Sequence, residues 1–182
     1  MIKAKELEIC NVYLFEPRVF RDGRGLFFES YSQRDYESFL KTEFVQDNVS
    51  ISTKNVARGL HYQLHNPQGK LVSVISGEVD DIIVDLRKGS STFGHSLIQR
   101  LDSNEMKQMY VPAGFAHGFV VRSKEAIFSY KCTDYYHSND DMGISFLPFL
   151  EKYGYLADDV LLSNKDLDYK NLENLEDIYL PK

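Results

Sequence analysis

A chain of 182 residues suits one domain and is long enough to bury a substantial core. A formal net charge of −6 argues against a nucleic-acid partner, yet it leaves room for local arginines and lysines to face an anionic small molecule. Hydrophobic residues make up 43% and aromatic Tyr and Phe number 12 each, which suits a β-rich fold or a cavity with flat walls; no apolar run approaches the roughly 18 residues needed to cross a membrane.

The N-terminal stretch MIKAKELEICNVYLFEP lacks the apolar core of a signal peptide. Cys10 and Cys132 are too few for a disulfide framework and sit in apolar, strand-like contexts, so two reduced thiols and a soluble cytoplasmic protein are expected. From Val12 to Ala126 the chain is a succession of short apolar runs separated by turn residues. VYLFEP ends at Pro17, RDGRG is a turn, and LFFESY resumes an extended pattern. In SQRDYESFLKTE (Ser32 to Glu43), Tyr36, Phe39 and Leu40 fall at i, i+3 and i+4, which predicts a short helix. FVQDNVSIST, ARGLHYQL, KLVSVIS, EVDDIIVDLR, GHSLIQRL, KQMYVP, GFVVRS and AIFSYKC follow as strands, with turns such as Asn66-Pro67-Gln68-Gly69 between them. This is an all-β pattern, a sandwich or barrel with short peripheral helices. From Asp140 onward short helical patterns alternate with acidic turns. Residues 1–139 are expected to form the β core, and 140–182 an appendage packed on the same domain.

Strand alternation places His61, Gln63 and His65 on one face and Leu60, Tyr62 and Leu64 on the other. The second face is apolar and suits a core; the first is polar, and an inward polar face is costly unless it lines a wet cavity. Lys70 shares a parity with Val72 and Val74, His117 with Phe119 and Val121, and Tyr130 with Phe128 and Cys132. One arrangement brings His61, Lys70, His117 and Tyr130 to a single cavity. His65, beside a Pro-Gly turn, is expected at the surface. A metal site is the poorer reading: the histidines are spaced His-x-x-x-His, and Lys70 arrives where a carboxylate ligand would be wanted. A base near neutrality, a fixed cation and a phenol instead suit proton abstraction beside a carbonyl, with reprotonation from the other face. Each residue also has a plainer alternative, since strand tyrosines usually pack and lone lysines are usually solvated.

RDGRGLFFESY, FVQDN, RGLHYQ, QGKLV, GEVDDIIVDLRKGSSTFG, QMYVPAGFAHGFVV, YKCTDYY and LSNKD, in this order, closely resemble the dTDP-4-dehydrorhamnose 3,5-epimerase family. The resemblance is dense from Val12 to Tyr136 and reappears at Leu162 to Asp166. It implies a cupin-like jelly-roll homodimer acting on a nucleotide-diphosphate 4-keto-6-deoxy sugar with no cofactor and no metal. It further implies that His61 is the proton acceptor, Asp166 its orienting carboxylate, Tyr130 the proton donor and Lys70 the group that holds the enolate oxygen. Arg24, Glu29, Gln46, Asn48, Arg58, His117 and Lys165 fall on substrate-binding positions, and Tyr136 on the aromatic that stacks against the nucleotide base. DLRKGSSTFG matches a turn with a scaffold role.

The sequence departs from the family pattern in three places. Asp141 stands where a Glu is usual, SFLPFLEKYGYLADDVLLS replaces a Trp-containing segment, and the stretch between His61 and Lys70 is about one residue shorter than in many relatives. These bear on which sugar and nucleotide are accepted. The alternatives are a 3-only or 5-only epimerase, an epimerase of another nucleotide-linked 4-keto sugar such as a heptose derivative, and a non-catalytic nucleotide-sugar-binding protein.

Overall fold

The alternation in the sequence is carried into two facing antiparallel sheets. The computed structural model describes residues 2–181. The chain enters through β1 (Lys3–Glu6) and β2 (Tyr13–Glu16), makes a hairpin of β3 (Phe20–Asp22) and β4 (Gly25–Phe27), and forms one turn of helix, α1 (Gln33–Tyr36). There follow β5 (Gln46–Thr53), β6 (Ala57–Gln63), β7 (Lys70–Ser76), β8 (Glu78–Asp85), β9 (Ser96–Asp102), β10 (Gln108–Val111), β11 (Phe115–Val121) and β12 (Glu125–Cys132). The short strand β13 (Asp141–Gly143) precedes helices α2 (Leu147–Lys152) and α3 (Asn164–Leu167). Six strands pair in the order β1-β2-β10-β7-β12-β5, and five in the order β13-β6-β11-β8-β9. The architecture is the cupin-like jelly roll that the motifs imply.

Between the sheets lies an apolar core in which Val72 and Val74 of β7, Phe128 of β12, Val79 and Ile83 of β8, and Phe115, Phe119 and Val121 of β11 are all buried. On β8 the alternate residues Ile82 and Val84 point the other way, with Leu60 and Tyr62 of β6 and Ala116 and Val120 of β11. This outer face is covered by Ile144, Phe146, Leu150, Val160 and Leu180 from the C-terminal segment. A buried carboxylate ties that cover down: Asp80 on β8 meets Arg100, Arg122 and the Tyr155 hydroxyl. The boundary expected at residues 139 and 140 falls in the 3-10 turn Ser138–Asp140; beyond it the chain first adds β13 to the sheet and then lies over its outer face.

The helix expected over residues 32–43 is reduced to four residues. Ser32 makes no side-chain cap, and so short a helix has little stability of its own. Tyr36 and Leu40 are nonetheless buried with Phe15 and Leu71, as their spacing requires. They cover one end of the outer face of the six-stranded sheet. Val49 and Ile51 on the edge strand β5, and Ile75 on β7, remain exposed there.

Candidate active site

A cavity of about 510 Å³ opens between the two sheets. His61 and Arg58 come from β6, His117 from β11, Lys70 from β7 and Tyr130 from β12; Tyr136, Asp141, Lys165 and Asp166 close one side. Thus the four residues that strand parity aligns reach one space. His61 and His117 are direct partners in the β6–β11 ladder, so both imidazoles stand on the five-stranded wall. Lys70 and Tyr130 stand on the six-stranded wall, where Lys70 is opposite Cys132 and Tyr130 opposite Val72. The β6–β11 pairing shifts register between His117 and Phe119. Glycine permits this: Gly59 has φ +120°, and a Cβ there would lie 2.6 Å from both the Gly118 Cα and the His117 carbonyl oxygen.

His61 Nε2 lies 2.6 Å from Asp166 Oδ1. Asp166 is 5% exposed, and its backbone N–H donates to Ser163 Oγ at the start of α3. Burial alone would raise the Asp166 carboxyl. Hydrogen bonds from the His61 imidazole, the Ser163 hydroxyl and the Gly59 N–H outweigh it and hold Asp166 below the ordinary carboxylate value. An ionised Asp166 accepts a proton-bearing Nε2 and leaves Nδ1 as the nitrogen able to take a proton.

Lys70 is reachable from the cavity yet surrounded by protein, and desolvation lowers its pKa below the usual lysine value. The field of Cys132, Asp141 and Asp81 opposes that fall. Tyr130 moves the other way: burial raises its pKa, with Cys132 reinforcing and Arg58 opposing. It is a protonated phenol at neutral pH. Behind His117 lies Asp81, fully buried, with its carboxylate oxygens 2.9 and 3.0 Å from His117 Nε2. Burial raises the Asp81 carboxyl, and His117 and Lys70 pull it back.

At the mouth, Asp141 Oδ2 accepts from the Tyr136 hydroxyl at 2.9 Å and from Lys165 Nζ at 2.6 Å. Bonding to Asp141 raises both donors. Gln46 Oε1 accepts the Tyr136 backbone N–H, and Asn48 Nδ2 approaches Cys132 Sγ. These two residues extend a polar row along β5 beside the cavity without lining it. Arg24 and Glu29 lie elsewhere. Arg24 projects from the β3–β4 hairpin and pairs with Asp22 at 2.6 Å, while Glu29 is exposed in the following segment. His65 lies beyond the end of β6 and is exposed.

Two buried carboxylates at the site escape a motif-based reading. Asp81 shares the inward parity of Val79 and Ile83, and a charge at such a position is the signal that marks it. Asp140 accepts the backbone N–H groups of His65 and Asn66 and so pins the turn between His61 and Lys70. Among the described residues no group of three or more His, Cys, Asp or Glu side chains is placed to hold a metal ion, and no helix is long and apolar enough to cross a membrane.

Comparison with known proteins gives a consistent result. Residues 6–174 match the family model described as dTDP-4-dehydrorhamnose 3,5-epimerase. A dTDP-4-dehydrorhamnose 3,5-epimerase of Pseudomonas aeruginosa is 51% identical over 168 residues, covering 91% of this chain and 93% of that protein. The crystal structure of a dTDP-6-deoxy-D-glucose-3,5-epimerase from Legionella pneumophila, in complex with dTDP-4-keto-L-rhamnose, superposes with a TM-score of 0.94 at 42% identity, covering 100% of this chain and 98% of that one. A 3'-monoepimerase from Streptomyces bikiniensis, in complex with dTDP-quinovose, superposes with a TM-score of 0.86 at 27% identity, covering 97% and 91%.

Proposed function

The chain belongs to the dTDP-4-dehydrorhamnose 3,5-epimerase family, and from that membership and its cavity we propose that it inverts C3 and C5 of dTDP-4-dehydro-6-deoxy-D-glucose to give dTDP-4-dehydro-L-rhamnose. The hydrogens at C3 and C5 flank the C4 ketone and are acidified by it. His61, oriented by Asp166, takes one of them at Nδ1. The electron pair passes into the carbonyl, and the Lys70 ammonium, desolvated in the opposite wall, stabilises the oxygen as it gains charge. Tyr130 returns a proton to the face remote from His61. His61 then gives its proton to solvent and Tyr130 regains one from it, and repetition at the second carbon completes the double inversion.

One observation carries this reading: the base, bonded to the Asp166 carboxylate of α3, stands on one sheet, and the phenol stands on the other, across a single cavity. A ring held between the sheets is approached from opposite faces, which is the requirement for inversion. A binding protein needs neither an oriented base nor a facing proton donor. Arg58 and Lys165 are assigned to the diphosphate and Tyr136 to the base, on which a flat exposed phenol can stack. Gln46, Asn48, His117 and Asp141 are assigned to the sugar and its surroundings.

The functional unit in this proposal is a homodimer, supported by the apolar Val49 and Ile51 of the edge strand β5 and Ile75 of β7, left uncovered on the outer face of the six-stranded sheet. Arg24 and Glu29 then serve the site of the second copy, since neither reaches the cavity of its own chain. Cytoplasmic location and a place in deoxysugar supply for polysaccharide belong to the same reading, supported by the two unpaired cysteines, Cys10 and Cys132. Incubation with dTDP-4-keto-6-deoxy-glucose in deuterated water tests it, with C3 and C5 followed by proton NMR and His61→Ala as control. Exchange at both carbons with an L-configured product supports the double epimerase. Exchange at one carbon would reduce it to a mono-epimerase, and no exchange would sink the substrate assignment.

A further inference from the structure

We infer that Tyr169 is a positioning residue for the His61 imidazole, acting through contact with the ring and never with the substrate; this rests on His61 being the base. Tyr169 follows Asp166 by three residues, just beyond α3. Its ring meets that of His61 edge-on, with centroids 5.8 Å apart and planes at 69°. It does not line the cavity that His61, Lys165 and Asp166 line. It therefore stands behind the base.

The slot that receives Tyr169 is built by β13. Gly143 is the direct ladder partner of His61, and a Cβ on Gly143 would fall 2.3–2.6 Å from three carbons of the Tyr169 ring. No other residue type at 143 leaves the ring its place. The Ser145 N–H donates to the Lys170 carbonyl at 2.8 Å, which stitches the segment carrying Tyr169 to the chain leaving β13. The Lys165 ammonium lies 6.0 Å from the ring centroid on the same segment. Ring, slot and stitch together make a fixed wall.

The physical need for such a wall follows from how His61 is held. Its hydrogen bond to Asp166 fixes one corner, Nε2, and a bond at one corner is a pivot. The imidazole remains free to tilt about it, carrying Nδ1 away from the carbon whose proton it must take. A rigid edge against the ring removes that freedom. The wall also keeps water from the back of the pair. Displacement of a reacting group by about 1 Å costs on the order of a hundredfold in rate.

The test combines kinetics with a substrate-free signal. In Tyr169→Ala, kcat is expected to fall roughly tenfold to a hundredfold with KM within about twofold of wild type, while Tyr169→Phe, which keeps the edge, stays within about threefold. Gly143→Ala, with Tyr169 intact but expelled from its slot, should reproduce the loss, and the double variant should lose no more than either single one. Tyr169→Leu, which keeps apolar bulk in the slot, should fold normally and still lose kcat. In the free protein, the His61 ring proton bonded to Asp166 should be a sharp downfield proton resonance in wild type and Tyr169→Phe, absent in His61→Ala, and broadened in Tyr169→Ala and Gly143→Ala. An unchanged kcat and resonance in Tyr169→Ala would overturn the inference. So would a loss confined to KM, or equal losses in Phe and Ala variants, which would place the role in the hydroxyl. A wild-type protein that leaves C3 and C5 unexchanged would instead sink the epimerase reading, while the ring-proton signal still tests the wall.

Discussion

His117 Nε2 is held by both carboxylate oxygens of Asp81, at 2.9 and 3.0 Å, in a pair that is almost wholly buried. Asp81 does more than orient one imidazole. Its charge also helps to keep Lys70 protonated against the desolvation that lowers its pKa. Asp81→Asn keeps the shape and removes the charge. Lys70 should then lose its proton at lower pH, so the alkaline limb of kcat/KM moves down, and kcat/KM at neutral pH falls roughly tenfold to a hundredfold. A pH–rate profile of the variant checks this, and an unmoved alkaline limb refutes the link between Asp81 and Lys70.

In the proposed mechanism Tyr130 and His61 act on opposite faces, so their variants, with Lys70 as the proposed enolate stabiliser, should fail differently. Tyr130→Phe retains the base and the enolate-stabilising lysine but has no proton to deliver. In deuterated water it should still exchange substrate hydrogen through the His61 side, with retention of configuration, while inverted product falls by roughly a hundredfold or more. His61→Ala should abolish exchange altogether. Exchange and inversion that decline in step in Tyr130→Phe would show that the phenol is not the donor.

Much of this arrangement was legible because strand parity is rigid. Lys70, His117 and Tyr130 share parity with apolar residues that face inward, while His61 stands on the polar face of its strand, so a period of two allows one shared cavity and the fold selects it. The pairing of His61 with Asp166 spans 105 residues and joins a strand to a helix of four residues, which no periodicity reports. Family resemblance supplied that link. Asp81 is masked within EVDDIIVDLR by its neighbour Asp80, and the parity it shares with Val79 and Ile83 becomes decisive once the fold shows which face of β8 meets the other sheet and which meets the cover. Tyr169 was invisible for a related reason: its meaning depends on the bare face of Gly143, a residue on another strand. The expected helix at residues 32–43 erred in extent alone, since burial of Tyr36 and Leu40 needs a turn but not three.

The turn after β8 offers a stability prediction with a definite sign. Asp85 is fully buried and accepts from the Arg87 backbone and guanidinium and from the hydroxyls of Ser90 and Thr92. Burial alone would raise its carboxyl, but these bonds, led by Arg87, bring it down to about 2 from 3.8. A depressed carboxylate contributes stability above its unfolded value, and that contribution is lost as pH falls from about 4 through 2. The shift corresponds to about 2 kcal/mol. Asp85→Ala should cost roughly 2–4 kcal/mol at pH 7, because it also strands the donors. Urea unfolding at pH 7, 4 and 2.5 should show the gap between wild type and variant narrowing with acid. A constant gap would mean that Asp85 stabilises by packing rather than charge.

The position of Arg24 gives the last prediction. It stands on the β3–β4 hairpin with Phe20, Leu26 and Phe27 exposed around it, and it does not line the cavity of its own chain. If it meets the diphosphate, the site must be completed by a second copy, and the defect of Arg24→Ala belongs to the partner's cavity. A mixed dimer of Arg24→Ala and His61→Ala subunits then holds one site with neither lesion and one with both. Co-expression of the two at equal levels gives half mixed dimers, so about a quarter of wild-type activity per site should return although each parent is inactive or nearly so. Light scattering should report two chains per particle. Failure of the mixture to regain activity, with dimers present, would return Arg24 to a role within its own chain. A monomer in solution would remove the shared site altogether.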